Sequence, residues 1–354
     1  MPKRPVDNVV RLKRFIPRLS GKRIGVLGDL MLDRYLWGNA SRLSPEAAVP
    51  VVDFVEQSES LGGAANVAAN IAALGARVEV FGVIGNDEPG RAVRKSLTAA
   101  NIAQEGVLAD ARRVTTVKTR IIARHQQVVR VDHERREPLR APLREKLLGI
   151  VFTALKNLDA LVLSDYDKGI ITDDFADRVL SACHQLKVPV FVKPKTSRLY
   201  AYRGARAIVC NAKEAGFFVT RSLADEQSVA EAGFALLAHF GCSAVVITRG
   251  EKGMSVFEEG SRKHLHIPAT SFEVTYARVG QSGIERGGGG RQVFDVTGAG
   301  DTVLSVLSLA MAAGASLAAS AALSNIAAGV VVGKLGTAHV TPKELIAALE
   351  DMHA

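Results

Sequence analysis

Asp295-Val296-Thr297-Gly298-Ala299-Gly300-Asp301 decides the reading of this chain, because no charged residue follows it until Lys334. Two glycines flank an alanine, so the backbone can turn sharply and present consecutive N–H groups. From Thr302 to Met311 small and apolar residues follow in a pattern that suits a buried helix. A helix start leaves N–H groups unpaired at the positive end of the macrodipole, which makes a seat for phosphate. Asp301 stands at the mouth of that seat. A carboxylate there repels an anion but can take a proton from a hydroxyl brought beside it. The competing reading makes Asp301 a helix N-cap, a role that Asp often fills.

Working outward, the uncharged run is long enough to raise a membrane span. It is dominated by Ala, Ser and Gly, and Gly314 splits it, so two helices packed inside a large α/β domain explain it better. The net charge of +9 suggests nucleic acid until it is located. Residues 1–23 hold eight Lys or Arg and one Asp, leaving +2 for the rest of the chain. The basicity is therefore a property of a solvated or loosely helical tail, residues 1–22, ahead of one domain over 23–354. Neither a nucleic-acid nor a membrane partner is expected. Charges at Arg11, Lys13, Arg14 and Arg18 leave no room for the apolar core of a signal peptide. Cys183, Cys210 and Cys242 are odd in number and set among apolar residues, as in a reducing, cytoplasmic compartment.

Residues 23–28 (RIGVLG) read as a buried strand closing on Gly28-Asp29, the edge at which open α/β sheets bind ligands. Asp29 and Asp33 could accept hydrogen bonds from sugar hydroxyls there. Residues 36–57 and 114–132 are β-rich blocks that interrupt a βα alternation, and suggest a small separate sheet. Pro50 marks an edge strand. Strand alternation puts Lys118, Arg120 and Arg124 on one face. Between the blocks, Gly62 and Gly63 precede an Ala-rich helix over 61–74, on which Asn66 and Asn70 stand one turn apart. A strand over 78–85, helices over 142–155 and 172–186, and strands over 160–163 and 188–192 continue the alternation. The sum is an α/β, doubly wound, mainly parallel sheet with helices on both faces.

Several separated motifs carry a resemblance. DVTGAGDT at the anion turn and Gly62-Gly63-Ala64-Ala65-Asn66 are similar to the signatures of the ribokinase-like (PfkB) carbohydrate kinases. Residues 28–35 (GDLMLDRY), 41–47 (SRLSPEA) and 330–337 (VVVGKLGT) resemble the branch that acts on D-glycero-β-D-manno-heptose 7-phosphate. The resemblance runs from about Lys22 to about Leu349. It implies ATP and Mg²⁺ as co-reactants and transfer to the C1 hydroxyl of the heptose phosphate, giving the 1,7-bisphosphate of lipopolysaccharide core assembly. Asp301 is then the base, with the N–H groups of Gly298, Ala299 and Gly300 holding the transferring phosphoryl. Asp29, Asp33, Gly62, Gly63 and Asn66 fall where the family holds its sugar, under a β lid often used for dimerisation. Asn211-Ala212-Lys213-Glu214 matches an N-x-x-E element whose Glu helps order the Mg²⁺ water shell. Thr248, Gly250 and Gly253 would lie beside the nucleotide, and Asn325 near the adenine.

The substrate's own phosphate needs cations, and Arg120, Arg124, Lys118, Lys193 and Lys195 are the candidates. Lys193 stands where relatives usually carry an Asp before Pro-Lys, which reverses the charge there. Residues 276–292, with four consecutive glycines, look like a flexible inserted loop. A nucleotidyltransferase domain, fused to this kinase in some relatives, is not expected after Leu349. The chain lacks G-x-x-x-x-G-K-[ST], H-E-x-x-H and paired C-x-x-C motifs. Other readings share these features: a kinase of an unphosphorylated sugar such as ribose or fructose, and a non-catalytic sugar-binding regulator.

Overall fold

The computed structural model describes residues 12–123, 126–198, 201–270, 279–280, 283–284, 297–334 and 336–351. In chain order the elements of the main layer are α1 (Ile16–Leu19), β1 (Arg23–Gly28), α2 (Ala64–Ala73), β4 (Arg77–Gly85), α3 (Glu88–Ala99) and β5 (Ala103–Asp110). They continue with α4 (Ala141–Leu155), β8 (Ala160–Ser164), α5 (Asp173–Leu186), β9 (Val190–Lys193), β10 (Ala207–Asn211), α6 (Ala212–Phe218) and α7 (Glu226–Phe240). β11 (Ala244–Thr248), β12 (Met254–Glu258), β13 (Leu265–Ile267), α8 (Ala299–Ala312), α9 (Leu317–Val332) and α10 (Pro342–Asp351) close the fold. A second layer uses β2 (Leu30–Leu43), β3 (Pro50–Gly63), β6 (Thr116–Ala123) and β7 (Gln126–His133).

The large sheet runs β13-β12-β11-β10-β9-β8-β1-β4-β5. Its strands pair in parallel from β5 through β11, and β12 and β13 add antiparallel. Strands buried on both faces need apolar residues at every position, as Val26-Leu27 and Leu161-Val162-Leu163 show. Val26 and Val162 join the core beneath α2, α8 and α9. Leu27, Leu161 and Leu163 join the core beneath α4, α5 and α7. From β1 the chain builds outward to β4 and β5 on one side, and to β8 and β9 on the other. The strand order therefore reverses between β1 and β8. At such a point the crossing helices diverge and leave a crevice at the strands' C-terminal ends. Gly28-Asp29, Ser164-Asp165-Tyr166 and Lys193 all lie at that edge.

The uncharged run forms α8 and α9, parted at Gly314 with φ +86. Among the described residues no helix is long and apolar enough to cross a membrane. The small sheet runs β3-β2-β6-β7, with β2 and β6 parallel and its other pairs antiparallel. Pro50 is the first residue of β3, an edge strand, which is where a proline is tolerated in a sheet. β2 and β3 run 14 residues each, well beyond the β-rich block legible over 36–57.

The tail expectation needs correcting for residues 12–22. Ile16 and Leu19, three apart on one face of α1, are 3% and 0% exposed and enter the first core. Lys13 pairs with Glu350 at 2.6 Å. Charge density had masked an i, i+3 apolar pair, while residues 1–11 lie outside the described residues. Most of 276–292 also lies outside them, apart from Val279–Gly280 paired with Gly283–Ile284.

Candidate active site

The anion turn is built as a helix start. Gly298 is the N-cap of α8 with φ +83, a conformation that costs a residue with a Cβ. Ala299 and Gly300 are the first two helical residues, so their N–H groups have no partner within the helix. Asp301 is the third helical residue and not the cap, which overturns the N-cap reading. Its side chain points across the crevice and is 4% exposed. Oδ1 accepts from Tyr166 OH at 2.6 Å and from Lys193 Nζ at 2.7 Å. Oδ2 accepts from Asn66 Nδ2 at 3.0 Å. A carboxylate offers about four lone-pair positions. Three are filled, and the remaining one on Oδ2 is where a substrate hydroxyl can dock.

Asn66 is aimed by its neighbours. Asn70 Nδ2 donates to Asn66 Oδ1 at 3.1 Å, and Thr302 Oγ1 donates to Asn70 Oδ1 at 3.0 Å. This polar ladder ties α2 to α8, and Ser305 Oγ adds a further bond to the Val67 carbonyl at 3.1 Å. The amide of Asn70 thus serves Asn66 and not a ligand. Gly63 caps α2 with φ +57, and a Cβ there would lie 2.4 Å from the Asp29 carbonyl oxygen. Gly62 is confined in the same way by Asp33, whose Oδ2 would be 2.6 Å from its Cβ.

The two N-terminal aspartates do different work. Asp29 is 1% exposed, and its carboxylate accepts the N–H groups of Tyr166 at 2.8 Å, Lys168 at 3.2 Å and Ile170 at 3.4 Å. It braces the loop that carries Tyr166. Burial pushes its carboxyl up to about 6, aided by the nearby charge of Asp165, and the three N–H groups only partly offset this. Asp33 pairs with Arg120 at 2.5 Å, and both are buried. Burial raises the Asp33 carboxyl, with Arg120 pulling the other way. Arg120 is therefore the buried partner of Asp33, its guanidinium 5.3 Å over the Tyr35 ring. Lys118 pairs with Asp132 at 3.0 Å. Arg124 lies outside the described residues.

Beyond the anion turn opens a cavity of about 690 Å³. Four expected nucleotide residues line it, Thr248, Gly250, Gly253 and Asn325, together with Ala299 and Gly300 of the turn. Gly253 has φ +76, and a Cβ there would meet the Ile267 carbonyl oxygen at 2.1 Å. Asn325 Nδ2 donates to the Pro268 carbonyl at 2.9 Å and holds the cavity's outer wall. Asn211 and Glu214 form the capping box of α6, with Glu214 Nα donating to Asn211 Oδ1 at 2.8 Å and Asn211 Nα to Glu214 Oε2 at 2.9 Å. Glu214 Oε1 lies 3.7 Å from Lys195, so that oxygen can still accept from a metal-bound water. Among the described residues no group of three or more His, Cys, Asp or Glu could hold a metal. A divalent ion would thus fit as the companion of phosphate oxygens, with Glu214 touching its water shell.

Tyr166 was missed from sequence. Its position just past a buried strand, on the edge where ligands bind, was the available signal. Burial and the Asp301 carboxylate raise its hydroxyl well above the ordinary tyrosine range, so it stays a donor to Asp301.

A buried carboxylate poised at a helix start whose free N–H groups suit an anion, with a large cavity beside it, is the arrangement of a small-molecule phosphotransferase. Residues 22–344 match the pfkB family of carbohydrate kinases, and the chain belongs to that family, whose acceptor is a sugar hydroxyl. The chain is 42% identical over 329 residues to the bifunctional protein HldE of Geobacter metallireducens, covering 93% of this chain and 63% of that protein. HldE of Geotalea uraniireducens is 42% identical over 328 residues, with the same coverage of 93% and 63%. The chain thus spans slightly less than two thirds of these relatives' length. The fold is shared with Arabidopsis thaliana ribokinase complexed with ribose and ATP, at TM-score 0.71 and 18% identity over 94% of this chain and 99% of that one. It is also shared with phosphofructokinase-2 from Escherichia coli, at TM-score 0.74 and 16% identity over 94% and 100%.

Proposed function

We propose that this sugar kinase uses ATP with Mg²⁺ to phosphorylate the C1 hydroxyl of D-glycero-β-D-manno-heptose 7-phosphate. The product is the 1,7-bisphosphate, made in the cytoplasm for lipopolysaccharide core assembly. The observation that carries the kinase chemistry is Asp301: buried, off the cap, and with Oδ2 accepting from Asn66 alone while Oδ1 accepts from both Tyr166 and Lys193. The resemblance of residues 28–35, 41–47 and 330–337 to the heptose branch supports the choice of sugar.

Asp301 accepts the C1 hydroxyl proton on Oδ2 as the sugar oxygen bonds to the γ-phosphorus. The bond from that phosphorus to the bridging oxygen breaks, and ADP leaves. The N–H groups of Ala299 and Gly300, with the dipole of α8, stabilise charge on the transferring oxygens. Mg²⁺, when bound, supplies charge neutralisation on the phosphates, with Glu214 ordering its water shell. Asn66 and Tyr166 fix the carboxylate, so little reorganisation accompanies the transfer.

The small sheet supports a homodimer. β7 is exposed along its whole length, and Val129, Val131, Phe54 and Val55 leave apolar surface open on its two edge strands. The test of the reaction is the product. Phosphorus NMR after incubation with ATP and the heptose 7-phosphate should show a second ester coupled to the anomeric proton, one per ADP formed. A new ester on any other carbon overturns the C1 assignment. ATP binding without any sugar turnover would favour the regulator.

A further inference from the structure

Lys193 ends β9 directly beneath the start of α8, where a helix dipole favours anions and opposes cations. Its Nζ lies 2.7 Å from Asp301 Oδ1 and 3.1 Å from Tyr166 OH. On its other side stands Gly300, whose Cβ, if present, would be 3.4 Å from that Nζ. Gly300 also lines the 690 Å³ cavity. The ammonium thus sits at the junction between the proton acceptor and the cavity.

A second lysine converges on the same place. Lys193 Nζ is 5.1 Å and Lys195 Nζ 5.5 Å from the centre of the Tyr166 ring. Two ammonium groups and a helix N-terminus together make a positive locus that Asp301 and the more distant Glu214 balance only in part. An anion placed there would relieve the repulsion. Burial works against the Lys193 charge, but Asp301 and the Tyr166 hydroxyl overcome it and hold the ammonium protonated.

We propose that Lys193 is a catalytic residue that leaves Asp301 Oδ1 for the transferring phosphoryl group when ATP enters the cavity. The proposal rests on the kinase reading and assigns to Lys193 a contact with the γ-phosphate, not with the phosphate of the sugar. A lysine suits the role, because a flexible stem with three donors can follow the phosphoryl from donor to acceptor. It also links the two halves of the site. Asp301 is masked on Oδ1 until the donor's phosphate draws the ammonium away.

The test compares ATP with ADP. Calorimetric affinities for both nucleotides are measured with magnesium for the wild type, Lys193→Met and Lys193→Arg, without sugar. Lys193→Met should lose about 10–100-fold in ATP affinity, the worth of a charge-assisted hydrogen bond, while ADP affinity stays nearly unchanged. Lys193→Arg keeps the charge and should retain most of the preference for ATP. In turnover, Lys193→Met should lower kcat with little change in KM for the sugar phosphate. An unchanged ratio of ATP to ADP affinity in Lys193→Met overturns the proposal. So does a rise confined to KM for the sugar phosphate, which would place Lys193 on the acceptor. If Lys193→Met does not fold, loss of the ATP preference in Lys193→Gln replaces it under the same criteria. A wild type that binds neither nucleotide would sink the kinase reading itself, a distinguishable failure.

Discussion

The two halves of the crevice are built on opposite principles. The proposed nucleotide side has a floor of backbone and small side chains, Gly250, Gly253, Ala299 and Gly300 with Val303, Ala328 and Val332, and carries its charged groups, Glu226, Glu251 and Lys252, as separate lining residues. The sugar side is dense in charge, with Asp301 bound to Lys193 and Asp33 to Arg120. A cavity of the first kind recognises by shape and by what backbone N–H groups offer. The second kind holds its groups by mutual pairing, so a single truncation there leaves a buried partner uncompensated. Substitutions should therefore act gently on the nucleotide side and severely on the sugar side.

The sharpest break in that contrast is Asp301→Asn. The amide keeps the shape but cannot accept the proton, so turnover should fall about 10²–10⁴-fold, the usual worth of a general base. Calorimetry on the same variant should show ATP affinity close to that of the wild type. Turnover within a few-fold of wild type would reduce Asp301 to a structural carboxylate.

Arg120→Ala should come next. It strips the buried Asp33 of its partner, which should cost about 3–5 kcal/mol of stability, measured by chemical denaturation. In the variant that remains folded, KM for the sugar phosphate should rise about 10–150-fold through loss of charge-assisted bonds in the acceptor crevice. KM for ATP should move far less. Equal rises in both would erase the division between the two halves.

The nucleotide side was the more legible half in sequence, for a physical reason. Glycines forced by φ or by close approach leave a mark in the chain, and Gly253 and Gly298 both stand where a Cβ would strain or clash. The strand edges were legible because buried parallel strands have no room for polar residues, so Arg23–Gly28 and Ala160–Ser164 stood out. The sugar side was less so. Which carboxylate meets a hydroxyl and which braces a loop depends on contacts made across more than a hundred residues. Asp29 accepts from Tyr166, and Lys193 reaches Asp301. No local pattern distinguishes Asp29 from Asp33. Likewise the 14-residue length of β2 and β3 comes from pairing with each other, which no local pattern in either strand announces.

The account turns on a kinase whose acceptor already carries a phosphate. The measurement that tests it most directly is ADP release, coupled to a reporter enzyme, with heptose 7-phosphate and unphosphorylated heptose as alternative acceptors, and ribose and fructose beside them. A phosphate carries about −1.5 to −2 charge near pH 7 and must meet cations once water is excluded. Heptose 7-phosphate should therefore be turned over at least about tenfold more efficiently in kcat/KM than the other three, the worth of one charge-assisted contact. Equal efficiency with heptose and heptose 7-phosphate, or faster turnover of ribose or fructose, would contradict it.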